Sequence, residues 1–229
     1  AHRGPLVWFG RDRAFEVSAE NWRGTVYGMR FDLRLGGQTL DVALPLPGLH
    51  FLMNFLAAAA VAHRLGMDPQ AIAEAALRMK AARHRGEVLR LGEGVTLLDD
   101  CYNSSPVAVE AALGALALAA GRRRLAVLGD MLELGPTGPA LHRELGERVA
   151  SGLDALLVVG PLAKSFLEGA RQAGLDPASL HAFPDSAAAA AALPDLVRPG
   201  DAVLVKGSRG VRMESIVEAL AARFGRVEA

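Results

Sequence analysis

Val95-Thr96-Leu97-Leu98-Asp99-Asp100-Cys101-Tyr102-Asn103-Ser104-Ser105-Pro106 places two carboxylates, a phenol and an amide directly behind a short, mostly apolar run. The run 95–98 reads as a buried strand, and 107–120 behind the polar cluster reads as a helix. The polar groups therefore sit where a strand turns into a helix. In open α/β sheets such strand ends are where ligands bind.

Outward from this corner, strand-like runs recur at 125–128, 155–159, 180–183 and 202–205. Helical runs fill 106–120, 139–151, 162–173, 185–197 and 213–224, and Gly121, Gly152 and Gly174 close three of them. Short continuous apolar strands alternating with helices predict an α/β fold, a doubly wound and mostly parallel sheet covered on both faces. That pattern holds over 86–229. Residues 1–85 read differently. Strand-like runs 25–35 and 38–46 flank Gly36-Gly37, a hairpin signal, and a shorter one covers 6–9. Helices are expected over 50–65, ending at Gly66, and from Pro69, capped by Asp68, to about Lys80. Arg83-His84-Arg85-Gly86 is the expected linker, by default solvated.

Composition narrows the class. With 51% hydrophobic and 22% charged residues, 229 residues can bury a substantial core. Lys+Arg and Asp+Glu balance at 25 each, which argues against a nucleic-acid partner. The single cysteine, Cys101, excludes an internal disulfide and fits a reducing compartment. No apolar stretch is long enough to span a bilayer. The start lacks both Met and a signal-peptide core, so a fragment or a processed chain is expected.

The strand ends carry the chemistry. Asp99, Asp100, Tyr102 and Asn103 follow the first strand, Gly129-Asp130-Met131-Leu132-Glu133 the second, Gly160 the third and Lys206-Gly207-Ser208-Arg209 the last. In a parallel sheet these ends share one edge and converge on one crevice. Each has a plainer reading. One of Asn103, Ser104 and Ser105 is expected to cap the helix that Pro106 begins. Asp130 alone suits a turn, Glu133 a solvated position, and Lys206 and Arg209 a charged surface. Yet a basic pair at a buried strand end is well placed to hold a carboxylate or phosphate. His50 and Asn54 share a helix face, by spacing alone the start of a solvated helix. Cys101 reads as a small buried thiol without a compelling Cys/His arrangement, and His142 as a surface histidine. The chain has no Gly-Lys dipeptide, hence no phosphate-binding P-loop, and neither a G-x-G-x-x-G after a strand nor a zinc pattern.

Taken together, these segments resemble the Mur ligase family, and within it the branch that adds D-Ala-D-Ala to a UDP-MurNAc-tripeptide. Asp99-Asp100-Cys101-Tyr102-Asn103-Ser104-Ser105-Pro106 resembles its D-D-x-Y-N-x-x-P signature. Residues 128–135 with His142 resemble G-D-M-x-E-L-G…H, residues 205–209 its K-G-S-R segment, and Arg85-Gly86-Glu87 the R-x-E at a domain junction. Gly48-Leu49-His50-Phe51-Leu52-Met53-Asn54 looks like its G-x-H-N-x-x-N helix start, with Phe51 where the family usually has Asn.

The resemblance implies that 1–85 ends a central ATPase domain and 86–229 forms a C-terminal Rossmann-like domain. It implies a cytoplasmic, monomeric ligase of peptidoglycan synthesis that uses ATP and Mg2+ and works through an acyl phosphate. Its P-loop and carbamylated lysine would precede Ala1, so this stretch alone should not hydrolyse ATP. By the same resemblance Asn54 contacts adenine, Arg85 the phosphates and Asp100 the ribose, with Tyr102 and Asn103 lining that face. Lys206, Ser208 and Arg209 would hold the dipeptide carboxylate, and Asp130 and Glu133 its ammonium. No residue is assigned a covalent catalytic role, and none a metal. Two alternatives remain: a related ligase of the diaminopimelate-adding or folylpolyglutamate kind, and a standalone non-catalytic α/β binding module.

Overall fold

The structure, a computed structural model, describes Gly4, residues 6–121 and residues 123–227. Its contacts divide the chain into two compact units, 1–80 and 81–229.

The first unit is a four-stranded sheet with two helices. Strands β1 (Phe9–Gly10), β2 (Val17–Thr25), β3 (Gly28–Leu35) and β4 (Gln38–Leu44) lie in that order. β1 runs parallel to β2, and β2 to β4 form an antiparallel meander. The Gly36-Gly37 turn forms as expected: Leu35 pairs with Gln38, and both glycines are left-handed at φ 58° and 76°. Two consecutive positive φ values match the twist of the strands they join. β3 alternates cleanly, burying Met29, Phe31, Leu33 and Leu35. Helix α1 (Leu49–Arg64) buries Leu52, Phe55, Leu56, Ala59 and Ala60, one stripe at helical spacing, and Phe55 meets Phe31 edge-on at 5.6 Å. Helix α2 (Pro69–Ala76) is capped by Asp68, which accepts from the N–H groups of Gln70 and Ala71.

Four expectations change. The run 25–35 is interrupted by a turn at Val26-Tyr27, so two strands stand where one was read. β2 was not expected, because its period breaks: Asn21 is left-handed and the register shifts between Glu20 and Arg23. Only Phe9 of the run 6–9 is in a strand. α2 stops at Ala76, short of Lys80.

The second unit contains β5 (Glu87–Arg90), β6 (Thr96–Asp100), α3 (Pro106–Leu116), β7 (Arg124–Gly129), α4 (Gly138–Val149), β8 (Ala155–Val159), α5 (Ala163–Gln172), β9 (Leu180–Phe183), α6 (Ser186–Leu196), β10 (Ala202–Lys206) and α7 (Glu214–Phe224). The sheet order is β5-β6-β10-β7-β8-β9, with β5 alone antiparallel. This is the expected α/β, doubly wound, mostly parallel sheet. β5 is the addition, an edge strand too short and too polar to show in the sequence. The central strands β7, β8 and β10 are buried almost throughout, and α6 and α7 pack with them in one core that includes Leu193, Ile216 and Leu220. No helix among the described residues is long and apolar enough to cross a membrane.

The last strand in the chain, β10, inserts between β6 and β7. At its amino end Asp201, 1% exposed, accepts from Arg123 through Nε (3.1 Å) and Nη2 (2.6 Å) and from the Arg198 N–H (2.8 Å). Removing one partner of such a buried pair typically costs about 3–5 kcal/mol. Asp201→Ala is therefore expected to lower the unfolding free energy of the second unit by about that much in urea titrations, and Asp201→Asn by less. A loss below about 0.5 kcal/mol would show that the pair does not hold this end of the sheet.

Candidate functional site

Insertion of β10 makes three carboxyl ends neighbours. Lys206, the last residue of β10, lies in register with Asp100 on β6 and Leu128 on β7. It is 2% exposed. Its ammonium donates to Asp100 Oδ2 at 2.7 Å, to the Asn103 carbonyl at 2.9 Å and, more weakly, to the Asp100 carbonyl at 3.5 Å. A buried ammonium has three N–H groups to satisfy, and three oxygens surround this one. The next residue must be small. A Cβ at Gly207 would stand 2.7 Å from Met213 Cγ and 3.1 Å from Gly129 Cα.

At the β6 corner the two carboxylates have different surroundings. Asp99 is 1% exposed; its Oδ2 lies 2.7 Å from His84 Nδ1, and its Oδ1 accepts from the Cys101 thiol at 3.0 Å. The Cys101 sulfur is also 3.5 Å from His84 Nδ1. Burial first, then the bond to Asp99, pushes the thiol far above its ordinary range, so it stays protonated. Asp100 points the other way, to Lys206. Asn103 is exposed, and its Oδ1 accepts from the Ser104 N–H at 2.8 Å. Ser105 is the cap of α3, accepting from the Ala108 N–H, with Pro106 at the first helical position as expected. Ser104, 7% exposed, has a hydroxyl with no partner among the described residues.

Two cations face the corner. The guanidinium of Arg85 lies 3.8 Å from the centroid of the Tyr102 ring, and that of Arg209 lies 5.2 Å from it. Both arginines are exposed, and among the described residues neither forms a salt bridge. Hydrogen bonding to Arg85 first, then Arg209, lowers the Tyr102 phenol below its ordinary value. Two exposed guanidinium groups beside one ring make a setting in which an anion gains stabilisation.

The β7 corner is tied down more tightly. Asp130 is 3% exposed, and both carboxylate oxygens accept from the Leu162 N–H at 3.2 Å, just before α5. Its carbonyl accepts from the Ser208 N–H at 3.2 Å. The Ser208 hydroxyl, 3% exposed, accepts from the Leu132 N–H at 2.9 Å. Glu133 is exposed and left-handed at φ 66°. His142 corrects the sequence reading: it is fully buried, not on the surface. Its Nε2 accepts from the Met131 N–H at 2.9 Å while Nδ1 meets the Gly138 carbonyl at 2.7 Å. It therefore shapes the 131–134 loop from beneath.

Thus Arg85, Asp100, Tyr102, Asn103, Asp130, Glu133, Lys206, Ser208 and Arg209 lie along one edge of the second unit's sheet. Asn54 belongs to the first unit, exposed on α1, where the His50 ring lies tilted at 41° to that of Phe51, with centroids 4.4 Å apart. A cavity of about 920 Å³ lies within the first unit, against β2–β4 near Trp22, Tyr27 and Arg30.

Two residues escaped the sequence reading. His84 is not a solvated linker residue, and a Cys/His arrangement does exist. His84 and Asp99 are 15 positions apart, and no motif spacing announces a contact made by a linker folding back onto a strand end. The one local signal is the neighbouring glycine, Gly86, left-handed at φ 74°.

A doubly wound sheet with acid, phenol and cations gathered at its carboxyl edge is a Rossmann-like α/β domain. The family model described as "Mur ligase, glutamate ligase domain" matches residues 84–209, and the chain belongs to the Mur ligase family. It is 37% identical over 216 residues to the UDP-N-acetylmuramoyl-tripeptide–D-alanyl-D-alanine ligase of Synechocystis sp., covering 94% of this chain and 46% of that protein. Among solved structures it resembles MurF from Acinetobacter baumannii, with 29% identity, a TM-score of 0.83, and 94% of this chain and 46% of that one covered. It also resembles the ADP complex of MurF from Thermotoga maritima, with 28% identity, a TM-score of 0.77, and 95% and 48% covered. The chain spans about half the length of the relatives it matches.

Burial raises the Asp130 carboxyl above its ordinary 3.8, against the lowering effect of the Leu162 N–H. A carboxyl raised on folding contributes stability that is complete below the unfolded value and is lost as pH rises through the folded one. Asp130→Asn should remove this dependence. In denaturation series from pH 3 to pH 7, the wild type is expected to lose stability relative to Asp130→Asn as pH rises from about 3.8. Parallel curves would show that the carboxyl ionises as freely in the fold as in the open chain.

Proposed function

We propose that this chain is the carboxyl-terminal half of an ATP-dependent ligase that joins D-Ala-D-Ala to a UDP-MurNAc-tripeptide, a cytoplasmic step of peptidoglycan synthesis carried out by a monomer. The observation that carries the reading is the β6 corner. Asp100 is held by a buried lysine, while Arg85 and Arg209 lie by Tyr102 without carboxylate partners among the described residues. Identity of 37% to a relative named for this reaction supports the substrate choice.

In the proposed reaction a carboxylate oxygen of the tripeptide attacks the γ-phosphorus of ATP, and ADP leaves. The dipeptide amine then attacks the acyl phosphate carbonyl; the amide forms, phosphate departs and the amine loses a proton. Residues of this chain would position charge for both steps. Asp100 faces the ribose, Tyr102 and Asn103 line the same wall, and Arg85 stabilises phosphate charge. Asn54, in the part read as the end of the central ATPase domain (1–85), contacts adenine. The segment Lys206, Ser208 and Arg209 receives the dipeptide, and of the three Arg209 carries the charge free to bind its carboxylate. Glu133 is the open carboxylate near Asp130 for its ammonium. Magnesium belongs to the proposed chemistry, yet the strand-end acids do not present a site for it. Asp99, Asp100 and Asp130 are each engaged by His84, Lys206 and the Leu162 N–H.

The test uses the full-length protein. Phosphate release should require ATP, the UDP-MurNAc-tripeptide and D-Ala-D-Ala together. Acceptance of meso-diaminopimelate or glutamate in place of the dipeptide would overturn the reading. Arg209→Ala is expected to raise the KM for D-Ala-D-Ala by roughly tenfold or more, since a charge-assisted contact to a carboxylate is worth about 1.5–3 kcal/mol. A rise confined to the KM for ATP would move Arg209 to the nucleotide side.

A further inference from the structure

His84 occupies an unfavourable conformation. Its φ is 62°, in the left-handed region that residues with a Cβ rarely adopt. Two bonds hold it there. Its ring nitrogen Nδ1 meets Asp99 Oδ2 at 2.7 Å, and its carbonyl accepts from the Tyr102 N–H at 3.0 Å. The adjoining turn is closed by the Arg85 N–H donating to the Ala82 carbonyl at 3.0 Å, and Gly86 behind it is left-handed too. Arg85 therefore projects from between two left-handed residues, and its guanidinium comes to rest over the ring of Tyr102.

Asp99 is in turn oriented from behind. The Cys101 thiol donates to its other oxygen at 3.0 Å, and the Cys101 N–H lies 3.4 Å from the same atom. With Asp99 1% and Cys101 2% exposed, neither has room to turn away. The cluster is thus a relay of position: thiol and backbone fix Asp99, Asp99 fixes the His84 ring, and His84 fixes the backbone from which Arg85 extends. His84, Asp99 and Cys101 donor atoms lie within 4.8 Å of one another, close enough to suggest a metal site. The 2.7 and 3.0 Å separations are hydrogen-bond distances, and the hydrogen bonds account for all three groups.

We propose that His84 is a positioning residue for Arg85, held to Asp99 so that the guanidinium is aligned over Tyr102 before the nucleotide binds. The inference rests on the reading of Arg85 as a phosphate contact and adds a residue that touches no substrate. Its physical content is preorganisation. A long arginine side chain on an unanchored linker would give up conformational freedom on binding phosphate, whereas one on a pinned backbone has already given up part of it.

Substitutions at position 84 separate this role from plain folding. Glycine accepts a positive φ without strain but lacks the side chain that reaches Asp99. Asparagine tolerates the left-handed region and can still donate to a carboxylate. In the full-length protein, His84→Gly is expected to raise the KM for ATP roughly fivefold or more with a smaller change in kcat, because part of a charge-assisted contact is lost. His84→Asn should restore the KM to within about twofold of wild type. Arg85→Ala is the control. If it leaves the KM for ATP unchanged, the phosphate role of Arg85 fails. If it raises the KM while His84→Gly does not, the positioning role fails alone.

A second readout needs no turnover. Arg85 is the largest cause of the lowered Tyr102 phenol, so Tyr102 reports where the guanidinium sits. Tyrosine ζ-carbon NMR of the full-length protein, with the Tyr102 signal assigned through Tyr102→Phe, should show its ionisation moving up toward the ordinary 10.0 in both Arg85→Ala and His84→Gly, and back in His84→Asn. A Tyr102 titration that shifts in Arg85→Ala but not in His84→Gly would overturn the proposal.

Discussion

The buried ammonium of Lys206 joins the parts of the carboxyl edge that chain order keeps far apart. An uncompensated charge at 2% exposure would cost several kcal/mol, so the fold has to bring acceptors to it. It finds them on a single segment, the Asp100 carboxylate and the Asn103 carbonyl, 106 and 103 residues earlier in the chain. That requirement orients the chain between Asp100 and Asn103 as it leaves the strand. Tyr102 lies inside this loop, so its ring inherits a defined place. On the other flank the residues just after Lys206 close against β7, where Ser208 bonds to the backbone of Asp130 and Leu132. One cation and the loop behind it thus organise both neighbouring corners.

Two ends of β10 show how the same insertion serves different purposes. At the amino end Asp201 is enclosed by Arg123 and the Arg198 N–H, and its carboxylate is committed to them. At the carboxyl end the enclosed pair, Lys206 and Asp100, is bordered by Arg85 and Arg209, which are exposed and without ionic partners among the described residues. The asymmetry follows from parallel topology. Strand–helix turns on the carboxyl side open outward, and the helices that follow expose their first N–H groups there.

Much of this was legible in the sequence, for identifiable reasons. Continuous apolar runs such as 155–159 announce buried parallel strands, and Gly36-Gly37 announces its hairpin, because one physical requirement dominates each. β2 was hidden by its own bulge, and β5 by having only Val88 and Leu89 to bury. The convergence of Asp100, Asp130 and Lys206 on one edge was also legible, since it follows from the sheet being parallel. Partnerships along that edge were not. Strand order leaves no trace in hydrophobic period, and only β10 lying beside β6 puts Lys206 against Asp100. Residues read as sharing one open crevice instead divide into ion pairs and caps. His84 and His142 were missed for the same reason. Their partners, Asp99 and the Met131 N–H, are 15 and 11 positions away across loops whose path no local pattern specifies.

This division decides what the edge can do electrostatically. Asp99, Asp100, Asp130 and Lys206 are committed to groups within the fold, and three of these four are 3% exposed or less. Their charges and dipoles are fixed in direction before any ligand arrives, which is the condition under which polar groups stabilise developing charge without reorganising. Arg85, Arg209 and Glu133 remain exposed to solvent, leaving an excess of positive charge around Tyr102. An anion approaching this corner meets exposed guanidinium groups backed by a rigid framework, whereas a cation meets the exposed carboxylate of Glu133. The same field acts on the Tyr102 phenol, which hydrogen bonding to Arg85 first, then to Arg209, lowers below its ordinary value.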